Sequence, residues 1–293
     1  MVCRKLRRFL AIACIFCTYP AFGWWETGHR TVARIAAAHL TPAARIRIAR
    51  ILNVPDTPNA IADALAAGST WADDIKKDTR TEEWHFIDLT LQDSRRDIEK
   101  RCKDDGCVVA RIRLFTAQFA AQKADGRWSE LDALRFLVHF VGDLHQPLHT
   151  ISDADLGGNC ERIDPPINEA KSIHGLWDGG IVNGLDASDQ QLASRVNGYI
   201  AGLNESERKE LSSGSVGDWT WESHELAHKL VYQKLHIPIE PVVFPNGCAE
   251  APSEITSFKS QIDSLYVDDM KPVVRDQLAK AGLRLARVLN ESL

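Results

Sequence analysis

An all-α fold, built as a single compact helical domain, is predicted by three features of the chain. Segment after segment sets its apolar residues at helical spacing. No run shows the strict alternation of a half-buried strand. Caps and breakers fall where helices would start, as at Thr41-Pro42 and Ser129. There is no internal repeat or low-complexity linker, and 293 residues with 44% hydrophobic composition can bury a substantial core.

In chain order, Thr31 to Leu40 is alanine-rich and helical. Thr41 caps a helix that opens with Pro42 and runs to about Leu52, with Arg45, Arg47 and Arg50 on a solvated face. Asn59 to Ala67 is a third helix, and Trp71 to Lys76 follows it. Arg80 to Lys103 is less regular. Val108 to Lys123 is amphipathic, and Ser129 caps a central helix from Glu130 to about Leu144. Asp153 to Pro166, rich in Gly, Asp and Pro, reads as loop. Short helices are expected around Ile167 to Val182 and Ser188 to Leu203, then a long one from Val216 to Leu235. His236 to Ser253 carries four prolines and reads as loop. Two helices close the chain, the last from about Pro272 to Asn290.

Residues 1–23 read as a secretory signal peptide. Arg4, Lys5, Arg7 and Arg8 precede an apolar run, Phe9 to Phe22, that is too short to span a bilayer, and Ala21-Phe22-Gly23 is a small-x-small cleavage site. The expected product is an exported chain, Trp24 to Leu293, secreted or periplasmic and without stable membrane association. Losing four basic residues and no acid takes the formal net charge from −5 to −9. Such a chain has no bulk attraction for nucleic acid, so a phosphate substrate would need local positive charge, which metal ions can supply. Cys102, Cys107, Cys160 and Cys248 remain after cleavage, an even number in an exported chain. Cys102 and Cys107 flank a short glycine-containing loop and suit a local disulfide, leaving Cys160 with Cys248. A soft metal site at Cys102 and Cys107 is the alternative.

The chemistry concentrates in His139-Phe140-Val141-Gly142-Asp143-Leu144-His145-Gln146-Pro147-Leu148-His149. His139 and Asp143, four apart, project from one helical face. Pro147 ends or kinks the helix and re-aims His149. Imidazole and carboxylate at this spacing suit a divalent metal, zinc above all; the competing reading is a buried helix with hydrogen-bonded histidines. His174 and Asp178 repeat the i, i+4 pairing. Asp73 and His85 sit among aromatic neighbours, so each would be partly buried and need a partner. Trp24-Trp25-Glu26-Thr27-Gly28-His29 would begin the cleaved chain, and its α-amine and carbonyl oxygen could chelate a metal beside His29. A rival centre is His224-Glu225-Leu226-Ala227-His228, which matches the H-E-x-x-H zinc-protease pattern, although the extended downstream ligand is missing. Nucleophile-elbow, P-loop, dinucleotide and C-x-x-C motifs are all missing.

Taken in order, a Trp after the leader with a His five residues on, Trp-Ala-Asp at residues 71–73, Trp-His-Phe-Ile-Asp at 84–88, the 139–149 stretch and His-x-x-x-Asp at 174–178 resemble the class I zinc-dependent nucleases of fungi and plants. A weaker echo lies at Trp219-Thr220-Trp221-Glu222-Ser223 and Val231-Tyr232. The wider superfamily includes zinc phospholipase C. The resemblance implies a helical domain of the phospholipase C/nuclease type, with a trinuclear zinc cluster in a cleft. One zinc ion would be held by Asp73, His85, His139 and Asp143. A second would take His149, His174 and Asp178. The third would take Trp24, His29 and the shared Asp143. Asp73, Asp143 and Lys76 would serve catalysis, Lys76 by stabilising the charged transition state, although a surface lysine is the bland reading. Phe86 would stack on a base, where a core phenylalanine is the alternative. His145 matches no ligand position. The implied activity is endonucleolytic hydrolysis of RNA and single-stranded DNA to 5′-phosphorylated products, with 3′-nucleotidase activity beside it, by a monomer. Phospholipase C is the nearest alternative, but its last ligand is usually a glutamate where Asp178 stands here. Gly179 and Gly180 depart from plant and fungal members, whose side chains there often touch substrate. Sequons occur at Asn204 and Asn290.

Overall fold

The computed structural model describes residues 24–122, 126–152, 154–186, 188–237 and 262–292. The leader and Cys248 lie outside them, as does most of the proline-bearing loop expected at 236–253. Four helices come first: α1 (Glu26–Ala38), α2 (Pro42–Leu52), α3 (Pro58–Gly68) and α4 (Trp71–Thr79). The hydroxyl of Thr41 accepts from the Ala44 amide at 3.3 Å, and Thr57 does the same for Ala60 at 3.4 Å, each followed by a first-turn proline. A short α5 (Ile98–Arg101) leads to α6 (Val108–Ala121), and the expected local disulfide, Cys102–Cys107, closes the loop between them. Cys160 is also disulfide-bonded.

The central helix α7 (Glu130–Leu144) starts on a capping box. Ser129 Oγ accepts from the Asp132 amide, and the Asp132 carboxylate accepts from the Ser129 amide at 2.9 Å. From Phe136 to Leu144 every residue is buried, so the helix is covered on all sides. It packs on α6, α4 and α1. An aromatic cluster backs it: Phe115 and Phe136 stack with centroids 4.6 Å apart, and Trp71, Trp84 and Trp128 meet Phe136 edge-on or tilted.

The second half corrects the expectation of no strands. Arg162–Ile167 (β1) and Ala170–Ser172 (β2) form an antiparallel hairpin. Its two-residue turn, Asn168-Glu169, has both residues at positive φ, +46° and +71°, the conformation that matches strand twist. The hairpin was illegible because Pro165 and Pro166 interrupt any strand pattern and Asn-Glu is a weak turn signal. Helical turns follow: α8 (Ile173–Gly175), a π-helical turn Leu176–Gly180 and α9 (Ile181–Asn183). Then come α10 (Asp189–Gly202), α11 (Glu205–Ser212) and α12 (Val216–Ala227), which runs on as a π-helical turn through Gln233.

The last helix, α13 (Ser264–Glu291), corrects the expected boundary at Pro272, because the helix passes through that proline. An interior proline costs roughly 3 kcal/mol in an isolated helix. Here burial offsets it: Val274, Leu278, Ala281 and Leu285 are all completely buried. α13 lies close on α1, where a Cβ at Gly282 would meet Ile35 at 2.3 Å. It also braces the end of α7. Gln277 donates to the His145 carbonyl at 3.0 Å, and Arg284 donates to His145 Nε2 at 3.0 Å while pairing with Glu222 at 2.7 Å.

Candidate metal centre

Three parts of the chain converge beside α7. α1 brings His29, α4 brings Asp73, the 3-10 turn Glu82–His85 brings His85, and α7 brings His139 and Asp143. The 3-10 turn after α7, Pro147–His149, re-aims His149 toward the turn that carries His174 and Asp178. All nine predicted ligands are buried, between 0 and 7% exposed.

The donor atoms form compact groups. His85 Nδ1 lies 3.0 Å from His139 Nε2, 3.0 Å from Asp143 Oδ2 and 3.6 Å from Asp73 Oδ1. His139 Nε2 is 3.2 Å from Asp143 Oδ2 and 3.6 Å from Asp73 Oδ2. The other oxygen of Asp143, Oδ1, lies 3.3 Å from His29 Nε2. Farther along, His174 Nε2 is 3.2 Å and His149 Nε2 3.7 Å from the Asp178 carboxylate. Tetrahedral zinc with bonds of about 2.0–2.1 Å places its ligand atoms roughly 3.3 Å apart, the spacing these groups show.

A second observation supports a metal fit. His29 Nε2, Asp143 Oδ1, His149 Nε2 and His174 Nε2 are buried with no hydrogen-bond partner among the described residues. Unpartnered buried polar atoms are costly and rare, and here they point at one another. Three His/Asp groups could hold metal: His29, Asp73 and His139; His85, His139 and Asp143; and His149, His174 and Asp178. The last is the predicted trio, and the second is three of the four ligands predicted for one ion; the first shares His139 with it and sets His29 beside Asp73 and not Asp143.

Backbone carbonyls orient the imidazoles. The Nδ1–H of His139 donates to Ser69 O at 2.7 Å, that of His149 to His85 O at 2.9 Å, and that of His174 to Gly157 O at 2.7 Å. Each bond fixes the tautomer that leaves Nε2 with a lone pair facing the cluster. Gln146, missed at the sequence level as a functional residue, donates to Asp178 Oδ1 and accepts from the Leu148 amide at 2.6 Å. Its only signal was its place beside Pro147 in the histidine-rich stretch.

The electrostatics call for positive charge. Burial and then His139 push the His85 imidazole down to about 4. Burial works against protonated His139 as well, but Asp143 and Asp73 outweigh it and hold it at about 9. Asp143 is held well below the usual carboxylate range, against its burial, by His139 and by the imidazoles of His29 and His85 close to its two oxygens. A proton on His139 or a bound cation meets the same demand.

Other sequence candidates fall into place. Lys76 is buried and donates to Asp73 Oδ1 at 2.7 Å, so the surface-lysine reading is wrong. Phe86 is half-buried on the wall of a cleft of about 1040 Å3 that Lys76, His85, His149 and His174 also line. Asp88 stays in contact with solvent on that wall, yet burial and then Asp155 and Glu83 push its carboxyl up to about 6. His145 is a structural residue: burial and Arg284 keep it neutral, with Nδ1–H on Val141 O at 2.7 Å. Trp24 is fully buried against Gly28 and close to Gly142. Trp25 donates to the Asp178 carbonyl at 2.9 Å, and a Cβ at Gly179 would meet its ring at 2.0 Å. That glycine admits an indole, which accounts for one departure noted above.

The protease reading fails on geometry. His224 Nε2 bonds the Thr90 carbonyl at 3.0 Å, Glu225 pairs with Lys229 at 2.8 Å, and the rings of His224 and His228 stand 6.3 Å apart. Among the described residues this segment belongs to no group able to hold a metal.

A sequence model described as S1/P1 Nuclease matches residues 24–293. The chain belongs to the S1/P1 nuclease family. It is a hydrolase acting on phosphodiester bonds, of a metal-dependent family, with nucleic acid as substrate. Its relatives include Endonuclease 3 of Arabidopsis thaliana, 28% identical over 278 residues, covering 92% of this nuclease and 89% of the relative. Nuclease S1 of Aspergillus oryzae is 28% identical, with 92% and 91% covered, and Nuclease P1 of Penicillium citrinum is 27% identical, with 92% and 97% covered. Neither the protease nor the phospholipase C alternative gains support from them. No helix among the described residues is long and apolar enough to cross a membrane.

Proposed function

We propose that this nuclease is a zinc-dependent endonuclease that cleaves RNA and single-stranded DNA and leaves 5′-phosphorylated products. The observation that carries this reading is the set of buried, unpartnered donor atoms spaced for tetrahedral zinc at the base of an open cleft. Three zinc ions are the best fit to the donors. Asp73, His85, His139 and Asp143 would hold one, and His149, His174 and Asp178 another. His29 and the second oxygen of Asp143 would hold the third, with Trp24. Cleavage of the leader before Trp24 would free the α-amine and carbonyl oxygen that complete that site, in an exported enzyme.

Bound zinc supplies Lewis acidity and lowers the pKa of water near the phosphate. The protein does the rest. Asp73, anchored by Lys76, is set to accept a hydrogen bond from the attacking water and orient it. The Lys76 ammonium, at the cleft wall, donates to the phosphate oxygens as charge builds in the transition state. Phe86 offers a face for a base. The buried cluster also accounts for the strand preference. A phosphate reaches it only if the neighbouring base leaves its stack, which a duplex resists.

The test is one assay on single-stranded DNA, RNA, duplex DNA and phosphatidylcholine. Single-stranded DNA and RNA should be cut at least tenfold faster than duplex, with phosphatidylcholine untouched. Hydrolysis of phosphatidylcholine alone would overturn the reading.

A further inference from the structure

The hairpin that the sequence concealed forms one end of the cleft. Arg162, the first residue of β1, is exposed there and lines the cleft wall. Lys77, on α4, lines the same cleft and is also exposed. Lys76 is committed to Asp73, but neither Lys77 nor Arg162 makes a side-chain ion pair or hydrogen bond among the described residues. The cleft is not uniformly positive, since Glu82, Asp88 and Asp164 line it too. An anionic strand entering it therefore needs cations placed at its phosphates, away from those carboxylates. At about 1040 Å3 the cleft reaches the top of the range that encloses a drug-sized ligand, about 300–1,000 Å3, so it has room for more than the scissile nucleotide.

We propose that Arg162, with Lys77, binds phosphates flanking the scissile one, and that the hairpin thereby selects polynucleotide chains over short fragments. This rests on the nuclease reading above. A guanidinium grips phosphate through two parallel N–H···O bonds, and its planar fork loses little freedom in doing so. Arg162 acts on a phosphate that does not react, so it contributes uniform binding and appears in KM more than in kcat. A dinucleotide without a terminal phosphate (a dinucleoside monophosphate) has only the scissile phosphate and gains nothing from it.

The experiment compares wild type, Arg162→Ala, Arg162→Lys and Lys77→Ala on a single-stranded oligonucleotide of roughly ten nucleotides and on that dinucleotide. Salt is varied over about 50–200 mM, and zinc content is measured for each protein. Arg162→Ala should lose about tenfold in kcat/KM on the oligonucleotide, mostly through KM, against about twofold or less on the dinucleotide. Its log–log salt slope should be shallower by about 0.7, the value of one phosphate contact on a single strand. Arg162→Lys should recover part of the loss, and Lys77→Ala should resemble Arg162→Ala. Equal losses on both substrates, an unchanged salt slope or loss of zinc from Arg162→Ala would overturn the proposal. A wild type inactive on both substrates would instead overturn the nuclease reading beneath it.

Discussion

Asp143 turns its two oxygens in different directions. Oδ2 faces His85 and His139, and Oδ1 faces His29. Asp143→Asn keeps the shape and removes the charge, so single-stranded DNA cleavage should fall by about a thousandfold, the loss expected when several kcal/mol of transition-state stabilisation goes. Glu225→Gln, in the H-E-x-x-H segment, should stay within about twofold of wild type because Glu225 is engaged in an ion pair with Lys229 and belongs to no metal-holding group among the described residues. The opposite ranking in kinetic assays would return the chemistry to the protease motif. Glu161 offers a test by pH. It is buried with Oε2 unpartnered among the described residues, and burial and then Asp155 push its carboxyl up to about 8. The native state thus keeps a proton that the unfolded chain releases. Glu161 costs nothing below its ordinary 4.5 and progressively more as pH rises toward 8. Glu161→Gln should therefore melt higher than wild type at pH 8, by a few degrees in calorimetry, with the gain vanishing at pH 4.5. Two of the candidate pairs, His139/Asp143 and His174/Asp178, were legible because His and Asp at i, i+4 recur in two segments joined by a loop and accompanied by His149. Their supports, Ser69 O, His85 O and Gly157 O, were not, because a carbonyl is common to every residue type.

At the scale of elements, α7 carries two donors on one face, and α1 must approach closely to add a third. Gly142 makes that approach possible: a Cβ there would sit 2.8 Å from His29 Nδ1 and 3.8 Å from Trp24 Cδ1. Gly142→Ala should leave the helical circular dichroism in place while displacing His29, at an overpacking cost of about 1–3 kcal/mol. Activity should drop at least tenfold, with zinc content reduced. A variant with full zinc and full rate would show that α1 can retreat without cost. Element boundaries were readable where caps announce them, as at Thr41 and Ser129. They failed where context overrides local preference. Burial against α1 carries α13 through Pro272, and the turn at Asn168-Glu169 closes a hairpin through two prolines.

Across the whole molecule, neighbouring His/Asp groups draw on α1, α4, α7 and the 174–178 turn, from His29 to Asp178 in sequence. Their carboxylates and unpartnered imidazoles repel or go unsatisfied unless positive charge binds them together. The family is metal-dependent, and these buried His/Asp groups could hold the cations that supply that charge. The most direct measurement is a zinc titration of metal-stripped protein beginning at Trp24, with single-stranded DNA cleavage followed at each addition. Activity should be lost on stripping and return only with zinc, reaching its plateau at about three ions per chain, one for each His/Asp group. Full cleavage by the stripped protein in excess chelator, or zinc filling the sites without restoring cleavage, would contradict the account.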